Sequence, residues 1–135
     1  MNNFTEVLKK HNLKATPQRI SILETIYKYG HINIDTLYIE IKNIFSSVSQ
    51  ATIYKNINIM INSMLLLEVK LPNEKSVYEI TKENHSHLLC SKCKNTIDIA
   101  VSTENIIGKI SQEHNFQIQR SDLVFSGICN KCLDL

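Results

Sequence analysis

Apolar residues recur every three or four positions through the first half of the chain, and then the period shortens to two. Phe4, Val7 and Leu8 predict a first helix from Asn2 to His11. Thr16-Pro17 reads as a cap followed by proline at the first helical position, where its missing N–H does no harm. Ile20, Leu23 and Tyr27 then share a face until Gly30 closes the element. A third helix is expected from Asn33, with Ile34, Leu37, Tyr38, Ile41, Ile44 and Phe45 on its apolar side. Ser49 can cap a fourth, Gln50 to about Met64, whose predicted buried stripe is Ile53, Ile57, Met60 and Met64. Leu65–Leu71 and Ser76–Thr81 alternate as strands about a turn at Pro72-Asn73-Glu74.

Short helices followed by a β-hairpin describe a winged helix-turn-helix. In that arrangement the Ser49 helix enters a DNA major groove by its N-terminal turn, where small residues such as Ser49 and Ala51 permit close approach. Gln50 and Thr52 can reach base edges, and Tyr54 and Lys55 phosphates or bases. Packing at the edge of the core is the lesser alternative for Tyr54. Lys9, Lys10, Lys14 and Arg19 form the densest basic run, with no acid between Val7 and Leu23, and a solvated helix face accounts for it as readily as an anionic partner does.

The second half is organised around metal-ligand spacing. Cys90-Ser91-Lys92-Cys93 and Cys129-Asn130-Lys131-Cys132 are two C-x-x-C pairs, and the chain has no other cysteine. Two such loops can complete a tetrahedral S4 site that selects zinc. Two disulfides or a redox dithiol are the alternatives. A reducing compartment disfavours the first, and the duplicated spacing disfavours the second. Between the pairs, a helix is expected from Thr103 to His114 and a strand from Phe116 towards Cys129. So thin a core calls for a metal staple, and an exposed sheet edge invites a second copy, so a homodimer is expected. His85 and His87 at i and i+2 of a strand point the same way, so both imidazoles can reach one ion. His31, Glu79 and Asp98 are further candidates, and mixed nitrogen and oxygen ligands suit ferrous iron, manganese or zinc. Two surface histidines remain the bland alternative.

Composition narrows the classes. The 135 residues are 43% hydrophobic and 21% charged, enough apolar content for a folded core. The two longest uncharged stretches, Asn43–Tyr54 and Asn56–Leu67, are well short of the roughly 20 apolar residues that span a bilayer. MNNFTEVLKKH has no apolar run of the secretory type, so a cytoplasmic protein without membrane association is expected. The net charge of +2 sits in residues 1–81, with nine Lys and Arg against seven acids, while residues 82–135 carry six of each. An H-x-E followed by P-C-x-x-C deaminase signature is absent and the cysteines are committed to a closed site, so no enzyme is expected.

LKATPQR (13–19), HINIDTLYIEIK (31–42), SQATIYKNI (49–57), KSVYEI (75–80), HSHLLCSKC (85–93) and the final CNKC (129–132) together resemble the ferric uptake regulator (Fur) family of metal-dependent repressors. The resemblance implies an α+β protein: a winged-helix DNA-binding domain (1–81), a hinge (82–86) and a zinc-stapled α/β dimerisation domain (87–135). It implies structural Zn2+ on Cys90, Cys93, Cys129 and Cys132. It also implies regulatory Fe2+ or Mn2+ on His31, Glu79, His85, His87 and Asp98, at the hinge. DNA reading would centre on residues 49–55, with Lys14 and Arg19 on the backbone of a palindromic operator.

Within the family, Asp98 in place of the usual Glu resembles the peroxide-stress regulators (PerR), in which Fe(II) and peroxide oxidise a ligand histidine, with His31 and His85 the implied targets. Glu79 resembles the iron sensors. Ser121 stands where iron sensors carry a further histidine, so their extra metal site is not expected. A peroxide sensor is the favoured expectation. An iron-responsive repressor, or a zinc-stapled interaction module without DNA binding, is the alternative.

Overall fold

Four polar side chains start the first four helices. Asn3 accepts from the Glu6 N–H at 3.3 Å and Thr16 from the Arg19 N–H at 3.3 Å. Asn33 accepts from the Thr36 N–H at 2.9 Å and Ser49 from the Thr52 N–H at 3.1 Å. Each satisfies a donor that has no partner within its own helix. The computed structural model describes residues 3–133. The expected start of the first helix at Asn2, and the last two residues of the 87–135 region, lie outside them.

The caps open α1 (Phe4–Lys10), α2 (Pro17–Tyr29), α3 (Ile34–Ile44) and α4 (Gln50–Asn62). Proline sits in the first turn of α2, and Gly30 caps its end at φ 78, a left-handed angle that disfavours a residue with a Cβ. A two-residue strand, β1 (Ile32–Asn33), precedes α3 and joins β2 (Leu66–Val69) and β3 (Val77–Ile80) in an antiparallel sheet of order β1-β3-β2. The helices bury Leu8, Ile22, Leu23, Ile26, Leu37, Ile41, Ile53, Ile57 and Met60 in one cluster with Leu66. This is the expected winged helix-turn-helix.

Four details differ from expectation. Tyr27 is exposed, because the buried face of α2 runs through Ile22, Leu23, Thr25 and Ile26 instead. Met64 is exposed, because α4 ends at Asn62 and Met64 lies at φ 64 in the turn towards β2. Ile44 is also exposed, at the last position of α3, beyond the buried Ile34, Leu37 and Ile41. β1 was not expected at all, since two residues carry no readable period.

The chain divides into a unit ending at Lys82 and a second starting at Glu83. The second contains β4 (Ser86–Cys90), β5 (Thr96–Ile99), α5 (Glu104–His114), β6 (Val124–Gly127) and the short α6 (Asn130–Leu133). Its sheet has the order β5-β4-β6, with β4 antiparallel to β5 and parallel to β6. The strand expected from Phe116 is confined to β6, and Phe116 itself is exposed. No described residue of α5 is buried. Leu88, Ile97 and Phe125 are register partners across the three strands, so their exposed side chains form one apolar row on one face.

Candidate metal centres and nucleic-acid interface

The two C-x-x-C loops meet because β4 runs into the first and β6 delivers the second beside it. The Cys90 carbonyl accepts from the Lys94 N–H at 2.8 Å, which folds the first loop. The ligand atoms of Cys90, Cys93, Cys129 and Cys132 all lie within 4.8 Å of one another, and no disulfide joins them. The sulfurs of Cys93 and Cys129 are 3.8 Å apart. That is the edge of a tetrahedron with roughly 2.3 Å Zn–S bonds, so this donor set fits zinc.

Electrostatics agree with that fit. The Cys90 sulfur accepts backbone N–H groups of Cys129 and Cys93, both at 3.4 Å, and these lower its pKa to about 5. Hydrogen bonding to Cys129, followed by burial, pushes Cys132 up to about 12. One thiolate is therefore easily formed in the cluster and a further one is opposed. A divalent cation removes that opposition.

Two smaller constellations are each built on a cross-strand pair. In the first unit, Ile32 lies opposite Tyr78, so the next antiparallel position sets His31 opposite Glu79. Their Nε2 and Oε2 atoms are 2.9 Å apart, with the Glu79 side chain buried. In the second unit, His87 lies opposite Asp98 in the β4–β5 ladder. Oδ1 of Asp98 is 3.3 Å from Nε2 of His87 and 3.6 Å from Nε2 of His85, and the two rings stand edge to face at 4.6 Å. Nδ1–H of His85 donates to the Glu83 carbonyl at 2.8 Å. That bond leaves Nε2 as the ring's lone-pair nitrogen, the arrangement a metal ligand needs. Each of the two constellations offers nitrogen and oxygen donors of the kind that suit a divalent cation such as Fe(II) or Mn(II).

On the first unit, α4 buries Ile53, Ile57 and Met60 and leaves Gln50, Ala51, Tyr54 and Lys55 exposed. Ser49 and Thr52 hydroxyls share a 2.9 Å hydrogen bond at its start. Lys14 is exposed in the loop before α2, while Arg19 is half-buried. Its guanidinium donates from Nε to Asn56 Oδ1 and from Nη1 to the Lys14 carbonyl, both at 3.0 Å. Asn56 was missed in the sequence, where the only available signal was its four-residue spacing from Thr52.

A model of the ferric uptake regulator family matches residues 10–126. The chain belongs to the ferric uptake regulator family. As a family member it is a metal-responsive transcriptional regulator. Its relatives include the ferric uptake regulation protein of Campylobacter upsaliensis, 30% identical over 98% of this chain and 88% of that one. The peroxide-responsive repressor PerR of Staphylococcus aureus is 26% identical over 94% of this chain and 87% of that one. Among solved structures, the Campylobacter jejuni peroxide stress regulator superposes with a TM-score of 0.70 at 34% identity, covering 97% of this family member and 100% of that chain. Among the described residues, no helix is long and apolar enough to cross a membrane.

Proposed function

We propose that this protein is a cytoplasmic, homodimeric repressor that binds a palindromic DNA operator when loaded with Fe2+ or Mn2+, and releases it when peroxide oxidises a ligand histidine. The carrying observation is the pair of histidines aimed at one carboxylate oxygen, Oδ1 of Asp98. An aspartate at that position, in place of the usual glutamate, resembles the peroxide-stress regulators. The relatives named for peroxide response in Staphylococcus aureus and Campylobacter jejuni support the same assignment.

In this proposal residues 1–81 read DNA, 82–86 act as the hinge and 87–135 form the dimer. The exposed row Leu88, Ile97 and Phe125 supports self-association, because apolar residues aligned across a sheet favour removal from water. Zn2+ on the four cysteines is structural. His31 and Glu79 from the first unit, with His85, His87 and Asp98 from the second, supply the regulatory ligands. A cation that takes ligands from both units favours one arrangement of the two DNA-reading helices. A hundredfold preference for it is worth about 2.7 kcal/mol, enough to switch operator occupancy. Fe(II) held there would supply the chemistry that cleaves the O–O bond of hydrogen peroxide, so that one oxygen would end on an imidazole ring and the other leave as water. An oxidised His31 or His85 no longer donates the same lone pair. No substrate turnover is proposed.

Peptide mass spectrometry after peroxide treatment of the iron-loaded dimer tests this. One added oxygen on the His31 or His85 peptide should accompany loss of DNA binding, and manganese-loaded protein should resist both. Glu79 and the Campylobacter upsaliensis relative favour a second reading, an iron-responsive repressor. Unmodified histidine peptides, with DNA released only on iron chelation, would establish that alternative. Failure to bind any duplex with or without metal would leave a zinc-stapled interaction module.

A further inference from the structure

We propose that Arg19 is a positioning residue which sets the angle of the DNA-reading helix through Asn56, rather than a plain phosphate contact. The inference rests on the reading of α4 as the helix that enters the groove. Arg19 projects from the first turn of α2, where Thr16 holds its backbone N–H. Two donors of its guanidinium are spent inside the protein, on Asn56 Oδ1 of α4 and on the Lys14 carbonyl of the preceding loop. The chain of polar contacts continues. Asn56 Nδ2 donates to the Thr52 carbonyl at 3.1 Å, and Thr52 closes the first turn of α4 with Ser49.

Chemistry decides the Asn56 orientation. A flipped amide would set NH2 against guanidinium N–H and a carbonyl oxygen against a carbonyl oxygen, so only one orientation satisfies both neighbours. The result is a polar strut through two residues 37 apart in sequence, joining the loop that carries Lys14 to the middle of α4 and, through Thr52, to its first turn. A planar fork with donors in fixed directions can hold two acceptors at once, whereas an ammonium cannot reproduce that geometry. Positive charge alone is therefore insufficient at position 19. The strut matters to discrimination between sequences because base-edge contacts tolerate little rotation, while phosphate contacts adapt.

The test uses the full-length, zinc- and manganese-loaded dimer. Fluorescence anisotropy compares an AT-rich palindromic duplex, selected by the wild type from a random pool, with a scrambled duplex of the same composition. Arg19→Lys, Asn56→Leu and the double variant are each expected to lower the selected-over-scrambled ratio about tenfold, with the double no worse than either single. The slope of affinity against salt should stay unchanged in Asn56→Leu. Asn56→Asp keeps the acceptor for Arg19 but loses the donor to the Thr52 carbonyl, so it should retain more of the ratio than Asn56→Leu and less than the wild type, and Arg19→Lys keeps the test open if Asn56→Leu does not fold. The proposal is overturned if Arg19→Lys behaves as wild type, Asn56 variants are silent, and Arg19→Gln weakens both duplexes equally with a shallower salt slope. Wild-type protein that binds no duplex removes the reading of α4 itself, and the strut's role falls with it.

Discussion

The two units of this chain are stabilised by different means. The first buries Leu8, Ile22, Leu23, Ile26, Leu37, Ile41, Ile53, Ile57, Met60 and Leu66 almost completely. Among the described residues of the second, Leu89 is the one buried apolar side chain apart from Cys90 and Cys132, and α5 buries nothing. At about 25 cal/mol per Å2 of apolar surface, burial alone can hold the first unit together. The second needs bonds that burial does not supply: four sulfurs on a cation, and a partner for its apolar row. The unit without a core is thus the one whose stability depends on what it binds.

Zinc removal should separate the two most sharply. Cys93→Ser is expected to abolish the cooperative unfolding of the second unit and the dimer, while the helical signal of the first survives. Circular dichroism, zinc content and sedimentation would read this, and a zinc-free dimer that still unfolds cooperatively would refute the comparison. Acid should act on the same unit by a gentler route. Cys90 has its pKa lowered from 9.0 to about 5, so its contribution is complete above pH 9 and lost as pH falls through about 5. Proton competition at this thiolate should therefore add to zinc release as pH falls towards about 5, as followed with a chromophoric chelator. A release curve unchanged between pH 7 and pH 4 would contradict it.

The first unit should respond to cavities instead. Ile57→Ala is expected to cost it about 2–5 kcal/mol in denaturant unfolding and to leave zinc content unchanged. Thr16→Ala, which removes the α2 cap, should cost about 1 kcal/mol. An effect of either variant on zinc retention would show the units to be less separate than their cores suggest.

Helix starts were legible because they are local. Thr16-Pro17, Asn33 and Ser49 announce themselves in a few residues, and each side chain accepts the N–H three positions on. The end of α4 was not: Met64 continues the apolar period, yet the chain has already turned into a left-handed angle. Among candidate ligands, the cysteines were legible from spacing, and the common direction of His85 and His87 from strand alternation. Arg19 was legible as a basic residue only, its bond to Asn56 being invisible at a separation of 37 residues.

By itself, the sequence determined what short-range chemistry controls: capped helices, two sulfur loops, an apolar stripe on each buried helix face, and the residue types able to hold a metal. Tertiary structure alone decided which of them face each other. His31 meets Glu79 because β1, too short to have a period, pairs with β3, and His87 meets Asp98 through the β4–β5 register. Register is a choice among whole-strand alignments, made by the summed packing of both strands, so no local pattern contains it.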